Sequence, residues 1–484
     1  MRKKLVAFLL IIVMLVSSYL PAYATPSYTY NSRNQPVPSP PVYQTQRTID
    51  GLDLPSGPFS NPTHLFADRQ HNIFVLDAGN QRVVVLDSSF EVTRVIDEFV
   101  YNGEVTYLSR SAQGLFYHDA LGVLYIADTE NNRIILSDLY GNIYRIFGMP
   151  DTDMLNQELE YRPTKIVVDN LGVMFVISSN VNDGIIMISE SNEFLGIFGK
   201  NQIRRTMAVM MEFARRRLFP NARTARTFQP TQITNIFWSH NRFIYAVSPR
   251  TGTVMSEVAR FNAVGETTLT GRNNEIISDF GNLVAGSDNT FLDITVDRHG
   301  IFTVLDASGK LFQYDANANL IGIFGGSGNT RGTFSRPVSV EALGDDGLIL
   351  VLDSAKNTIT VMEPTYYGRL IRENIVLFNV GKFQESMDGW RKVLSINPNY
   401  YLAHTGIGMV YYQNREYRNA MDSFRMAYDR DNYSRAKRAL LHQNTRDNFP
   451  LIVAGVMVLF IWALGGKAIR QLTKNQYRRL KRAA

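Results

Sequence analysis

A set of polar side chains recurs at matched positions of a repeated strand pattern, and their types could support chemistry. If the first strands of the repeats line a common channel, these side chains meet at its mouth and can bind a ligand there. The second repeat has Leu115 at the matched position. The candidate channel-mouth residues are His64, Lys165, Gln232, Asp293 and Ser339.

A metal site is the first chemistry to weigh for this set. Zinc needs at least three protein ligands, and His64 and Asp293 are the two ligands of the required kind that we find. Calcium takes about six to eight oxygen ligands, whereas the set contains a single carboxylate. The chain has no cysteine, which excludes thiolate ligands and a cysteine nucleophile. We therefore predict no metal site, no cofactor and no catalytic residue, and only a candidate ligand-binding mouth.

A second recurring residue is an aspartate that ends an apolar strand. Four repeats have it, and it looks catalytic when each copy is read alone. A carboxylate at a strand end more simply accepts backbone N–H groups of the following turn. We predict this structural role for Asp77, Asp128, Asp306 and Asp353.

The repeat itself is a unit of four short strands bounded by turn residues. Six copies follow one another, and their apolar strands end at Asp77, Asp128, Ser178, Ser248, Asp306 and Asp353. A lone unit of this kind leaves its faces exposed, and radial stacking of the units buries them. The pattern therefore predicts a β-propeller.

The repeats resemble the NHL family over residues 46–364. The shared features are a proline at the strand start, an Asp-Gly turn, the strand-final aspartate and an Asn-x-Arg turn, as in Asn80-Gln-Arg82. The resemblance implies a six-bladed propeller. The last repeat has only three strands before Pro364, and Gln46–Gly51 matches the missing fourth strand. We predict that this N-terminal segment completes the sixth blade and closes the ring.

An insertion after the third repeat, residues 200–226, combines helical apolar spacing with a high density of arginines. Its basic side chains could contact anionic lipid, an anionic wall polymer or an acidic partner. The alternative is a helix docked on the propeller rim with a solvated basic edge. The candidate contact residues are Arg204, Arg205, Arg215, Arg216 and Arg217.

A second repeat lies in residues 365–446. Phe383 and Tyr417 stand 34 residues apart within helical apolar spacing, as do Trp390 and Phe424. This period resembles the tetratricopeptide repeat, which implies two helical hairpins and a capping helix. Such hairpins can present a groove for a peptide, and a packed stalk is the alternative.

Both ends of the chain carry an apolar run next to basic residues. Residues 1–24 are typical of a secretory signal peptide, with a retained signal anchor as the alternative. Residues 25–45 are rich in Pro, Ser and Tyr and predict a linker. Residues 449–469 are long and apolar enough for a transmembrane helix, although a buried core helix has the same composition. The basic tail, residues 470–484, favours the cytoplasm.

The net charge of +6 comes from clusters at the two ends and in the insertion. The remainder of the chain is acidic, so we predict no nucleic-acid partner. The sequence thus predicts a multidomain protein: an all-β six-bladed propeller, an all-α tetratricopeptide-like region and one transmembrane helix. It would be a single-pass type I protein of the cell membrane, with its bulk on the extracytoplasmic face.

The function that this organisation favours is a membrane-anchored interaction or scaffold protein with protein partners at the membrane. It would bind a protein, peptide or glycan through its propeller and helical surfaces. One alternative is a hydrolase or lyase of the lactonase type, because lactonases on similar propellers hold a metal at the channel. The other alternative is a sensing or accessory subunit of a transport assembly.

Overall fold

The computed structural model describes residues 27–30, 36–52, 54–155, 160–181, 184–199, 232–249, 257–269, 277–278 and 290–483. The predicted signal peptide, 1–24, and the basic insertion, 200–226, lie outside the described residues. So do all five arginines proposed as surface contacts. The chain divides into two compact units, Met1–Val380 and Gly381–Ala484.

The first unit is a six-bladed β-propeller, as the repeats predict. Every blade is an antiparallel four-stranded sheet, and one blade carries two additional strands. Three strands precede the first complete blade: β1 (Tyr28–Tyr30), β2 (Pro36–Pro38) and β3 (Tyr43–Ile49). Blade one contains β4 (His64–Ala67), β5 (Ile73–Asp77), β6 (Arg82–Leu86) and β7 (Val92–Ile96). A hairpin follows it: β8 (Phe99–Tyr101) and β9 (Glu104–Thr106).

The next three blades repeat this order from the inner to the outer strand. Blade two contains β10 (Gly114–His118), β11 (Val123–Asp128), β12 (Arg133–Ser137) and β13 (Ile143–Phe147). Blade three contains β14 (Pro163–Val168), β15 (Met174–Ser178), β16 (Ile185–Ile188) and β17 (Phe194–Phe198). Blade four contains β18 (Asn235–Trp238), β19 (Ile244–Ser248), β20 (Glu257–Phe261) and β21 (Ile277–Ser278).

The last two blades complete the ring. Blade five contains β22 (Phe291–Val296), β23 (Phe302–Asp306), β24 (Lys310–Tyr314) and β25 (Leu320–Gly325). Blade six contains β26 (Pro337–Leu343), β27 (Leu348–Asp353) and β28 (Thr358–Pro364), with β3 as its outer strand. Each inner strand contacts the inner strand of the next blade, and β26 contacts β4. The six inner strands therefore form a closed ring around a channel.

The N-terminal segment closes the ring as predicted. Strand β3 pairs with β28 in antiparallel register, from Ile49 opposite Ile359 to Tyr43 opposite Pro364. The strand begins earlier than the predicted start at Gln46 and ends before Gly51. Strands β1 and β2, which fall in the predicted linker, extend blade five through the pairing of Tyr28 with Ile323.

The strand-final aspartates are fully buried and structural. Asp353 accepts the backbone N–H groups of Ala355 and Lys356 in the following turn, as predicted. Asp353 and Asp77 also accept the backbone N–H of a residue that leads into the blade, Ser335 and Ser60 respectively. Asp77 forms an ion pair with Arg82 at 2.7 Å in addition. The carboxylate therefore joins two segments of one blade.

Helix α1 (Tyr366–Asn379) belongs to the first unit, although it falls within the predicted helical-repeat region, residues 365–446. Thr365 caps its start by accepting the N–H of Gly368 at 3.1 Å. Its Arg372 forms an ion pair with Asp297 of blade five, and both side chains are largely buried. These contacts hold the helix on the propeller.

The second unit consists of helices in the described residues. They are α2 (Phe383–Ile396), α3 (Tyr401–Gln413), α4 (Tyr417–Met426), α5 (Arg430–Asp447) and α6 (Phe449–Ala483). Helices α2 and α4 begin at the two residues of the 34-residue spacing, and their Trp390 and Phe424 are buried. A Cβ at Gly408 of α3 would lie 2.6 Å from the Phe424 ring, so the glycine permits this close packing.

Helix α6 contains the predicted membrane span. Its segment Phe449–Asn475 is the one stretch in the described part of the chain that is both long and apolar enough to cross a membrane. The helix continues through the predicted basic tail to Ala483. Length and composition are the properties that support a span here.

Candidate ligand-binding channel

The strand register shows which residues share one level of the channel. In each blade, the second strand ends in Asp or Ser, and the residue just before that end pairs with one residue of the inner strand. These inner-strand residues lie at one level of the channel. His64 faces Leu76, Lys165 faces Ile177, and Asp293 faces Leu305. The complete ring is His64, Gly114, Lys165, Asn235, Asp293 and Ser339.

In two blades the strand register gives a different ring residue from the one that the sequence repeats predict. Gln232 lies ahead of β18, where its Nε2 donates to the carbonyl of Ser179 at 2.8 Å, and Asn235 takes the ring position. The stretch after Pro230 is longer than in the other blades, which shifts the register. Counting back four residues from the turn residue Ser239 identifies Asn235.

In blade two the ring residue is Gly114 instead of Leu115. The reason is that His118, and not Asp119, holds the turn, where its Nδ1 accepts the N–H of Leu121 at 3.2 Å. A Cβ at Gly114 would lie 2.7 Å from the carbonyl oxygen of Thr164. The glycine therefore lets blades two and three approach at the channel.

Asp293 is the hub of the ring. Its Oδ1 accepts the Asn235 side-chain N–H of blade four and the backbone N–H of Ile294. Its Oδ2 accepts the Ser339 hydroxyl and the Val340 N–H of blade six, both at 2.7 Å. Burial raises the pKa of this carboxyl, and the hydrogen bonds and Lys165 oppose that shift. With four donors bound, the carboxylate joins three blades and has no lone pair left for a metal ion.

The hydrogen-bonded chain continues around the ring. The Ser339 hydroxyl accepts the N–H of Leu65 in blade one at 3.2 Å. His64 Nδ1 accepts the N–H of Leu115 in blade two at 3.3 Å. Burial, and then the nearby Lys165, lower the pKa of His64 well below its usual value. The imidazole is therefore neutral, and its Nε2 carries the proton.

Lys165 is the exception in this ring. Among the described residues its ammonium has no hydrogen-bond acceptor and no carboxylate oxygen within 4.0 Å. Burial lowers its pKa to about 8, and the charge of Asp293 acts in the opposite direction. The channel thus contains a cation that Asp293 attracts but that makes no direct hydrogen bond or short ion pair within the described residues.

Two adjoining cavities occupy the channel. The inner cavity, of about 30 Å³, is lined by the polar side chains of His64, Lys165, Asp293 and Glu341. The wider cavity, of about 120 Å³, opens among the turns that follow the inner strands. They share five lining side chains, which form an aromatic collar with one acid: Phe66, Phe116, Phe237, Trp238 and Glu341.

Glu341 is a site residue that sequence reasoning missed. Its side chain is buried, and burial and then the charge of Asp293 raise its pKa well above the usual value. The backbone N–H of Ala67 donates a hydrogen bond to its carboxyl group, which opposes the shift. The signal in the sequence is its position two residues after Ser339, on the same face of β26.

The wider mouth carries side chains of both charges. Arg298 forms an ion pair with Asp345 at 2.9 Å and lies 3.3 Å from His71 Nε2. His240 stands nearby, and burial, Arg69 and Arg298 lower its pKa. The described residues contain no group of three or more His, Asp or Glu side chains placed to hold a metal ion.

No protein-family model matches the chain, and no curated protein matches its sequence. Virginiamycin B lyase from Staphylococcus aureus is similar in structure, with a TM-score of 0.41 and 10% identity over 66% of this chain and 99% of the lyase. The β-propeller domain of Cps50 (Swd1) from Myceliophteria thermophila gives 0.41 and 10%, over 67% of this chain and all (100%) of that domain. Raptor from Chaetomium thermophilum gives 0.36 and 9%, over 69% of this chain and 25% of Raptor. These are likenesses of fold.

Proposed function

We propose that the protein is a membrane-anchored interaction protein whose propeller and helical repeats bind a partner outside the cytoplasm. The signal peptide 1–24, the span 449–469 and the cytoplasmic tail 470–484 are parts of this proposal. So are the assignments to NHL and tetratricopeptide repeats. The arginines of the insertion 200–226 would add a contact with an anionic surface near the membrane.

The observation that carries the proposal is a group of exposed large side chains on blade two and its adjoining hairpin, which we call the tyrosine edge. The hairpin joins the blade, because Val100 donates its N–H to the carbonyl of Gly141 at 2.8 Å. Exposed tyrosines are enriched where proteins bind one another. The tyrosine edge consists of Tyr101, Val105, Tyr107, Tyr140 and Tyr144, each at least 36% exposed in the described structure.

The hydrogen bonds and burial of the channel carboxyl groups also favour an interaction function over metal-dependent hydrolysis. A lactonase-type site needs carboxylate oxygens that are free to bind a metal ion. Asp293 already accepts four hydrogen bonds, and Glu341 is buried with a raised pKa. We therefore place the interaction function ahead of the hydrolase alternative.

Site-specific photocrosslinking in native membranes tests the proposal. A photoreactive phenylalanine analogue at Tyr144 of the full chain should crosslink to a discrete protein partner. The matched control is the same analogue at Leu171, which is 82% exposed on blade three. We expect an adduct at Tyr144 and none at Leu171. No adduct at any position of the tyrosine edge, or equal adducts at Leu171, would overturn the proposal.

A further inference from the structure

We propose that the channel binds a small ligand with a carboxylate head group and an apolar or aromatic body. The head would lie against Lys165 and the body against the aromatic collar. This inference rests on the proposed function only in that the propeller is a binding module. It names a ligand class for the channel, which is separate from the tyrosine edge.

The inner cavity offers hydrogen-bond donors and hardly any acceptor. The Lys165 ammonium has no acceptor among the described residues, and the neutral His64 imidazole carries its proton on Nε2. Burial and the charge of Asp293 raise the pKa of Glu341, which disfavours a second negative charge in this cavity. Asp293, the other acid of the cavity, has its lone pairs occupied. Two donors around one small cavity, the Lys165 ammonium and the His64 Nε2–H, suit an anion with two acceptor oxygens.

Charge leads to the same class of ligand. Lys165 is partly buried, its ammonium has no hydrogen-bond acceptor among the described residues, and a carboxylate beside it would supply a short ion pair. A cationic ligand would be repelled by Lys165. A neutral ligand could use the hydrogen-bond donors but would leave the charge unpaired.

The aromatic collar fits an apolar body. The ring centroids of Phe66 and Phe116 lie 5.0 Å apart, and the rings of Phe237 and Trp238 line the same passage. The wider cavity of about 120 Å³ beyond the collar limits the body to roughly the size of one aromatic ring or a short aliphatic chain. A free organic acid and the C-terminal carboxylate of a peptide share this chemistry.

Equilibrium dialysis of the full chain in detergent tests the inference. The probes are phenylacetate and phenylacetamide, which have the same body and differ in the charge of the head. N-acetylphenylalanine and its C-terminal amide form a second pair that represents a peptide end. We expect each acid to bind at least tenfold more tightly than its amide. Tighter binding of N-acetylphenylalanine than of phenylacetate would indicate a peptide end as the natural source, and the reverse would indicate a free acid.

Lys165→Met removes the charge and keeps most of the side-chain length. It should weaken the binding of phenylacetate at least tenfold and leave phenylacetamide unchanged. Lys382→Met, at an exposed lysine of the second unit, is the matched control and should change neither. Equal binding of acid and amide, no binding of either, or an unaffected Lys165→Met variant would overturn the inference.

A measurement on the wild-type protein covers the case in which Lys165→Met fails to fold. Phenylacetate should slow the acetylation of Lys165 relative to Lys382, as measured by mass spectrometry, whereas phenylacetamide should not. Equal rates would overturn the inference. A Tyr144 crosslink without carboxylate binding would remove this inference and leave the proposed function standing. Carboxylate binding without a crosslink would support the inference and remove the protein partner.

Discussion

The carboxylate of Asp293 in blade five accepts the hydroxyl of Ser339 in blade six at 2.7 Å, and the same hydroxyl accepts the N–H of Leu65 in blade one. One serine side chain therefore links three consecutive blades at the level of the channel. Both residues were candidates for ligand binding from their positions in the repeat. The structure shows that their polar atoms are engaged in joining blades.

Ser339→Ala should lower the free energy of unfolding of the propeller. The change leaves the Leu65 N–H without its acceptor and removes one donor from Asp293, which costs about 1–3 kcal/mol for a buried group. Ser88→Ala, at an exposed turn residue, is the matched control and should change the stability by less than about 0.5 kcal/mol. Chemical denaturation followed by circular dichroism gives both values. Equal midpoints would contradict the linking role of Ser339.

Glu341→Gln should stabilise the protein increasingly as the pH rises. The pKa of Glu341 is raised in the folded state, so above the unfolded-state pKa the folded protein keeps a proton that the unfolded chain releases. The wild type then loses stability at roughly 1.4 kcal/mol per pH unit until the folded-state pKa is reached. Gln has no such proton and can still accept from Ala67. The melting temperatures of the two proteins should be similar near pH 4 and diverge towards pH 7. A constant difference would show that Glu341 does not titrate in this way.

Removal of β3 should destabilise the propeller, because it exposes the edge of β28. A chain that begins at Pro55 lacks β3, whereas a chain that begins at Ser39 keeps β3 and loses only β1 and β2. With the same leader fused to each, the Ser39 chain should melt near the full-length protein. The Pro55 chain should melt much earlier or aggregate. The ring-closing role of β3 would be refuted by equal melting temperatures of the two shortened chains.

Gly408→Ala should destabilise the helical unit. The added Cβ would lie 2.6 Å from the buried Phe424 ring, so helix α3 or the ring must move, at a cost of about 1–3 kcal/mol. Gly455→Ala in α6 is the control, since a Cβ there meets no atom within 4 Å. Thermal unfolding of the full chain measures both variants. A Gly408→Ala variant as stable as the Gly455→Ala variant would show that α3 and α4 are not tightly packed.

Changing Arg215, Arg216 and Arg217 to Gln should weaken binding to anionic vesicles. Each basic residue near such a surface contributes about 1 kcal/mol to binding. Losing three arginines should therefore reduce the affinity at least about a hundredfold. The effect should fade in high salt because exposed charges are screened. The measurement is sedimentation of a chain that ends at Asn444 with vesicles of graded charge. If the unsubstituted chain binds vesicles equally at every vesicle charge, the alternative interpretation of the insertion, a helix docked on the propeller rim, is favoured.

The sequence predicted the parts of the fold that repeat. Strand-final residues such as Asp77 and Asp353 marked each blade, and the missing fourth strand of blade six identified the N-terminal closure. The residues of the channel ring were harder to predict. The longer stretch after Pro230 places Asn235, and not Gln232, at the ring position of blade four. Glu341 was missed because burial of a single acid on an inner strand depends on the neighbouring blades and not on local pattern.

The helical region shows the same division between local and tertiary information. The spacing of Phe383 and Tyr417 predicted where α2 and α4 begin. The predicted helical-repeat region, residues 365–446, also includes α1. In the structure α1 falls within the first compact unit, where Arg372 pairs with Asp297, and no periodicity in the sequence reveals that contact.

The pairing of β3 with β28 also constrains the order in which the protein can be assembled. Gln44 donates to Glu363 at 2.8 Å, and these two residues are 319 positions apart in the chain. Synthesis runs from the N-terminus, so β3 emerges first and its partner strand emerges only after five blades have been made. Until then, β3 must remain unpaired and must not add to another exposed strand edge. Ring closure is therefore a late event in biogenesis, and the N-terminal strand depends on the whole propeller for its place.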